Sequence, residues 1–373
     1  MQKIKVAVDI RDLKIAKTGV KTYLEELVRE FKTLDNQAVS FVFLDSFIAP
    51  YTGKNKFFKL LEHIQFFIWK QISLPLLAYF KGCNLIFCAD FFVPYFAIKA
   101  RTIPVLHDAF FFEYPSHYNS KWLWLFKNIG ITAAKKSPFI VTPTHYTATR
   151  INFFTNIELE KIAVVYEGPK SMPFPSKSDQ EILGSLFGEK YFLHVGVIEK
   201  RKNLLNLLSA FKEVQVVYPD FKLALVGQFS PKSDMDDRAQ ILNYIKEEGL
   251  SNQVILPGYV PDNEIIAWYR NAFLYVFPSY NEGFGIPVLE AFEHKIPVII
   301  ANNSCLPEVA GDAALSFNPN EVNEIARCMV EVIEQPELAK ELIKRGTERV
   351  KLFNWKSTAS QLVRIFQTAV SDK

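Results

Sequence analysis

The sequence predicts an α/β protein built from two domains, and three observations carry that reading. The chain is 373 residues long, more than one ordinary hydrophobic core serves. Short apolar runs alternate along it with segments of helical apolar spacing, the pattern of sheets covered by helices. Near the middle, Gly168-Pro169-Lys170-Ser171-Met172-Pro173-Phe174-Pro175-Ser176 concentrates glycine, proline and serine, the composition of an interdomain linker. The predicted bounds are 1–170 for the first domain, 171–355 for the second and 356–373 for a C-terminal helix. No internal repeat or low-complexity tract interrupts them.

In the first half, Lys3 to Ile10 reads as a short apolar strand. The turn Lys17-Thr18-Gly19-Val20-Lys21-Thr22-Tyr23 follows, then an amphipathic helix with Leu24, Leu27, Val28 and Phe31 on one face. A dinucleotide fingerprint needs Gly-x-Gly-x-x-Gly here, and one glycine is present, which argues against a nicotinamide enzyme. Thr102 to Leu106 is a later strand ending in His107-Asp108, and Ile162 to Tyr166 another. Residues 54–70 mix Phe and Trp with Lys. They read either as a helix lying on an anionic membrane or as a domain helix packed on the sheet. Lys121-Trp122-Leu123-Trp124-Leu125-Phe126-Lys127 has the same character, while Glu113, His117 and His145 read as structural rather than acceptor-side groups.

In the second half, Phe192-Leu193-His194-Val195-Gly196 is a buried strand ending in a tight turn. The loop that follows carries Lys200-Arg201-Lys202-Asn203 into a helix from Leu204 to Phe211, and three cations at a strand's carboxyl end suit a diphosphate. Two further strands end in glycine, Leu223 to Gly227 and Val254 to Gly258, the latter leading into Tyr259. The most informative run is Asn281-Glu282-Gly283-Phe284-Gly285-Ile286-Pro287-Val288-Leu289-Glu290. Pro287 suits the first turn of a helix, and the glycines let an anion approach unpaired backbone N–H groups. Glu282 then stands before the helix and Glu290 about one turn inside it, facing different parts of one ligand. That geometry is a poor match to the opposed carboxyls of a glycosidase.

This run resembles the Glu-x7-Glu signature of retaining glycosyltransferases of family 4, which have the GT-B fold of two Rossmann-like domains facing each other across a cleft, with the C-terminal helix crossing back to the first. The matching motifs follow in family order from about residue 191 to 325. Leu306-Pro307-Glu308-Val309-Ala310-Gly311-Asp312-Ala313-Ala314 closes them, in wording similar to bacterial polysaccharide mannosyltransferases. The resemblance implies transfer of a hexose, with mannose preferred, from a nucleoside diphosphate sugar to the hydroxyl of a lipid-linked or cell-surface glycan. It assigns Arg201 and Lys202 to the diphosphate, Glu290 to the ribose, and Glu282 with the Phe284 and Gly285 N–H groups to the sugar. Gly196, Gly258, Tyr259, Gly283 and Ile286 line the donor, and Gly19 and His107 approach it from the first domain, His107 near the reacting centre. Val197 stands where the family has an arginine, a role Arg201 takes over. A sugar-nucleotide epimerase of the same fold, or a catalytically silent membrane or assembly subunit, are the alternative readings.

Residues 1–170 hold 22 Lys and Arg against 14 Asp and Glu, and the remainder 21 against 26. A basic first half suits phospholipid headgroups or a polyprenyl phosphate, whereas nucleic acid calls for a more localised excess. Cys83, Cys88, Cys305 and Cys328 sit in apolar contexts and read as reduced packing residues rather than a zinc site. The chain enters its first strand without an apolar leader and contains no run of about 18 apolar residues, so it is expected to be cytoplasmic and not membrane-spanning. Asp234-Met235-Asp236 reads as turn and helix-cap chemistry, and the expected transfer needs no metal or other cofactor.

Overall fold

The computed structural model describes residues 3–14, 19–34, 38–46, 51, 53, 55–172, 188, 190–230 and 234–371. The chain divides into two compact units, residues 1–167 with 354–373, and residues 168–353. The first crossing therefore precedes Lys170, whose ammonium pairs with Asp262 of the second unit at 2.6 Å. The return begins at Asn354, whose Oδ1 accepts from the Ser357 N–H and caps the last helix. Most of the proline-rich stretch, from residue 173 on, lies outside the described residues.

In the first unit, β1 (Ile4–Asp9), β2 (Val39–Leu44), β3 (Leu85–Cys88) and β4 (Arg101–Pro104) form a parallel sheet in the order β2-β1-β3-β4. β5 (Ile140–Thr142) pairs with β6 (Ile162–Val164), and a Val105–Val141 bridge joins them to β4. Alternation along the strands feeds two cores. Val6, Val8, Leu85 and Phe87 pack with Leu24, Leu27 and Phe31 of the helix Gly19–Thr33 and with Leu362 and Phe366 of the helix Trp355–Ser371. Ala7 and Ile86 face Trp69, Leu74 and Ala78 on the other side.

The second unit holds β7 (Lys190–Val195), β8 (Phe221–Val226), β9 (Val254–Gly258), β10 (Leu274–Phe277), β11 (Val298–Ala301) and β12 (Leu315–Phe317), all parallel, in the order β12-β11-β10-β7-β8-β9. Counted from its own first strand this is the Rossmann order, and the chain direction across the sheet reverses between β7 and β10. Ligands of such sheets bind beyond the carboxyl ends of the strands at that reversal. The loops that begin at Gly196 and at Pro278 leave the sheet there.

Residues 54–70 combine features of both expected readings. Asn55 caps a helix Lys56–Ile68, continued by a π-helical turn Trp69–Ser73 and a helix Leu74–Phe80. Lys70 is buried between Asp9 at 2.7 Å and Asp90 at 2.5 Å, and the Trp69 indole N–H donates to Asp9. These two residues therefore belong to the domain interior. The opposite face leaves Phe57, Leu60, Leu61, Ile64, Ile68, Ile72, Leu76 and Phe80 exposed, spaced by three or four residues. In the second basic stretch, Trp122 and Phe126 are absorbed into an aromatic cluster with Phe92 and Phe111, and Trp124 alone is turned out.

Candidate functional site

The two loops at the strand reversal are stitched together before any side chain reaches a ligand. Asn203 takes a left-handed conformation at φ 57° and donates its amide to the carbonyls of Pro278 at 3.1 Å and Pro319 at 2.7 Å. The Tyr280 N–H donates to the Arg201 carbonyl, and Arg201 Nη1 donates to the Asn281 carbonyl at 2.6 Å. The basic run and the Glu282 run, eighty residues apart, thus form one rigid platform. Close backbone approach matters at one neighbouring position: a Cβ on Gly227 would lie 1.8 Å from the Gly196 carbonyl oxygen, so the turn after β7 requires a glycine opposite it.

On that platform Glu282 bridges two cations. Arg201 Nη1 is 2.8 Å from Oε2 and Lys202 Nζ is 2.6 Å from Oε1. Burial pushes the Glu282 carboxyl up, but Arg201 and Lys202 outweigh it and hold the group down at about 2. Lys202 is pushed below its ordinary value by burial and by Arg201, against the pull of Glu282. Arg201 is held further by Glu199, 2.8 Å from Nη2. Lys200 points elsewhere, to the Asp234 carbonyl. The cluster sets two cations against Glu282 and Glu199, largely buried, at the carboxyl end of a Rossmann sheet, where an anionic ligand can compete for the cations.

The predicted helix begins at Ile286 and runs to Glu293, with Pro287 in its first turn and Gly285 before it at φ 99°. Glu282 lies before this helix and Glu290 inside it, as the spacing implies. Phe284 is buried against Phe353, and its carbonyl accepts from the Cys305 thiol. At the helix start the N–H groups of Gly285 and Ile286 have no acceptor within the helix. Glu290 accepts from the Tyr269 hydroxyl at 2.7 Å through Oε2, leaving Oε1 for another partner. Burial raises the Glu290 carboxyl to about 7, with Tyr269 and Lys170 opposing. Gly258 closes β9 at φ 76° with open space where a Cβ would stand, and Tyr259 beyond it is 67% exposed.

Gly19 and His107 belong to the first unit. Gly19 opens the helix Gly19–Thr33 and is exposed. His107 has both ring nitrogens engaged within the first unit, by the Ala89 carbonyl at 2.9 Å and by Glu167 at 3.3 Å. Burial disfavours its charge, yet Glu167 and the Ala89 carbonyl hold its pKa above the ordinary value. While those bonds stand, no ring nitrogen is left for a sugar. Glu113 pairs with Arg150, and His117 stacks on Tyr114, both structural contacts.

Asp236 accepts from the Arg238 N–H at the start of the helix Arg238–Glu247, which is cap chemistry. All four cysteines are buried free thiols. Among the described residues one group, Asp9, Cys88 and Asp90, has the proximity of metal ligands, and the Lys70 ammonium already occupies it. No described helix is long and apolar enough to cross a membrane.

Sequence reasoning passed over three residues of the site. Asn203 carried a usable signal, since an asparagine closing a basic loop before a helix suits a left-handed position. Tyr269, on the helix Asp262–Asn271, and His194, on β7, carried none, because each meets its partner through packing of elements separate in the chain.

The sheet order and loop arrangement of the second unit are those in which Rossmann-type domains bind nucleotides. More particularly, residues 176–349 match the family described as glycosyl transferases group 1 and form a domain of that kind. The chain is 27% identical over 276 residues to O-antigen chain mannosyltransferase B of Escherichia coli, an overlap of 72% of this chain and 70% of that protein. It superposes on sucrose-phosphate synthase of Thermosynechococcus elongatus with a TM-score of 0.76 at 19% identity, over 100% of both chains. It also superposes on Anabaena HepE in complex with UDP, with a TM-score of 0.71 at 16% identity over 98% and 100%. These likenesses identify the fold as GT-B.

Proposed function

We propose that the protein is a retaining hexosyltransferase that moves mannose from a nucleoside diphosphate sugar to a hydroxyl of a lipid-linked or cell-surface glycan, without a metal. The observation that carries this reading is the Arg201–Lys202–Glu282 cluster at the strand reversal. The diphosphate displaces Glu282 from the two cations, which then stabilise the charge that grows on the leaving phosphate. Glu282, released, accepts from the sugar hydroxyls and fixes the anomeric carbon. Glu290 accepts from the ribose through its open oxygen. The resemblance to retaining glycosyltransferases supports a departing phosphate oxygen that takes the acceptor proton on the same face, which would retain the anomeric configuration. Mannose is favoured by the likeness to an O-antigen chain mannosyltransferase.

The acceptor places the work at the inner face of the cell membrane. The exposed stripe from Phe57 to Phe80, on a first half with net positive charge, supports peripheral contact with anionic lipid. The test is transfer from nucleoside diphosphate mannose, glucose, galactose and rhamnose to lipid-linked oligosaccharide acceptors, with the product anomer read by NMR. A product with the anomeric configuration of the donor supports the reading. An inverted product, or a free sugar nucleotide altered at one carbon, overturns it.

A further inference from the structure

The lysine of the cluster has a neighbour with no task yet. His194, one residue before the end of β7, is fully buried. Its Nδ1 lies 3.0 Å from the Val276 carbonyl. A carbonyl only accepts, so Nδ1 carries the proton, and burial together with Lys202 pushes the ring's pKa down to about 3. The ring is therefore neutral and Nε2 presents a lone pair. That nitrogen is sealed from water and has no hydrogen-bond partner. Near-parallel rings hold its plane, Tyr275 at 12° and Phe277 at 22°. A Cβ placed on Gly196 would stand 3.7 Å from His194 Nε2 and 3.7 Å from Lys202 Nζ. The two nitrogens thus flank one glycine, and the ammonium also lies 4.8 Å from the centre of the Phe277 ring.

We propose that His194 is a positioning residue whose Nε2 accepts from the Lys202 ammonium and keeps it charged and aimed at the donor diphosphate after Glu282 turns to the sugar. The inference rests on the donor-site reading above. An ammonium has three N–H donors. Glu282 holds one now, a phosphate oxygen would take one in the complex, and the buried imidazole nitrogen, beside the same glycine, is the acceptor we assign to another. The groups facing Lys202 and His194 are Glu282, Glu199, Arg201 and Tyr275. Once Glu282 moves away, burial and Arg201 both favour loss of the lysine proton. A bare imidazole nitrogen opposes that loss without competing for the phosphate, as a second carboxylate would.

The test is calorimetric titration of the full chain with GDP and with UDP from pH 7 to 10. It compares wild type with His194→Phe, which keeps the ring plane and removes the acceptor, His194→Gln, which restores one, and Lys202→Ala. The expected result is about tenfold weaker binding in His194→Phe, with the alkaline loss of affinity beginning about one pH unit lower, and recovery of both in His194→Gln. If Lys202→Ala loses affinity while His194→Phe matches wild type in affinity and alkaline limb, His194 is packing and the inference falls. If wild type binds neither nucleotide, or Lys202→Ala binds like wild type, the donor-site reading falls first. Should His194→Phe not fold, the ¹⁵N shift of His194 Nε2 in wild type decides. Movement in the hydrogen-bonded direction on adding nucleotide supports the inference, and an unchanged shift overturns it.

Discussion

Lys202 Nζ meets Glu282 Oε1 at 2.6 Å across eighty residues of chain. Glu282 pairs with both cations while Glu199 holds Arg201 alone, and in the proposed reading the diphosphate competes with Glu282 for the same charge. Glu282→Ala is expected to leave the buried Lys202 without its carboxylate, Arg201 keeping Glu199, at a cost of about 3–5 kcal/mol in stability. It should also bind nucleoside diphosphate at least as tightly as wild type while transfer falls by about a hundredfold. Thermal melts with and without nucleotide, beside turnover assays, check both halves. Loss of nucleotide affinity in Glu282→Ala would show that the carboxylate holds the ligand rather than competing with it.

The same pair sets an acid limit on stability. Glu282 titrates at about 2 in the fold, below its ordinary value of 4.5. Its contribution is therefore complete above pH 4.5 and lost as pH falls toward 2. Melting temperature in wild type should drop steeply through that window, and Glu282→Ala should show a shallower drop. Parallel curves would assign the acid sensitivity to other carboxylates.

Glu290 runs the other way. Its carboxyl is raised to about 7, so the ionised form that accepts from ribose hydroxyls gains population as pH rises from 6 to 8. Donor affinity should rise over that range, measured with the intact sugar nucleotide, and Glu290→Gln should bind weakly with a flat profile. The stability sign is opposite, since the neutral form suits burial and stability declines as pH rises from 4.5 through about 7. Glu290→Ala should lose about 1.5–3 kcal/mol of nucleotide affinity. Wild-type affinity in Glu290→Ala would remove the ribose assignment.

In the proposed reading Arg201 and Lys202 together neutralise the diphosphate in place of a metal. Their double substitution to alanine should reduce transfer far more than EDTA does. Activity lost in EDTA and regained with Mg²⁺ or Mn²⁺ would give the charge-neutralising role to a metal and bring Asp234 and Asp236 back into consideration.

Anionic liposomes should sediment the protein at low salt and release it as salt rises, because surface attraction is screened beyond about 10 Å at 0.1 M. Phe57→Ser with Leu60→Ser and Ile64→Ser should abolish sedimentation without lowering nucleotide affinity. These three side chains are exposed, so the fold does not depend on them. Protein remaining in the supernatant at low salt would mean that the stripe is not a lipid contact.

The local geometry of the Glu282–Glu290 run was legible in the sequence because its parts are local. Glycine turns, an in-helix proline and the spacing of Glu282 from Glu290 depend on neighbours a few residues away, and the structure keeps them as read. Residues 54–70 were ambiguous for the converse reason. Whether Lys70 faces lipid or Asp9 and Asp90 depends on the pairing of β1 with β3, which a periodicity cannot express.

By itself, then, the sequence determined the alternating α/β plan, the Glu-x7-Glu cradle and the charge carried by each half, since each follows from backbone preference or composition over short spans. Only the tertiary structure decided that Glu282 neutralises Arg201 and Lys202, that Tyr269 engages one oxygen of Glu290, that His107 is bonded at both nitrogens, and that His194 presents a bare nitrogen beside Lys202. Each of these is a contact between strands, helices or loops that are apart in the chain and that the fold brings together. Burial there removes water, and the protonation and partner of every polar group are then set by whichever distant residues the strand order brings within reach.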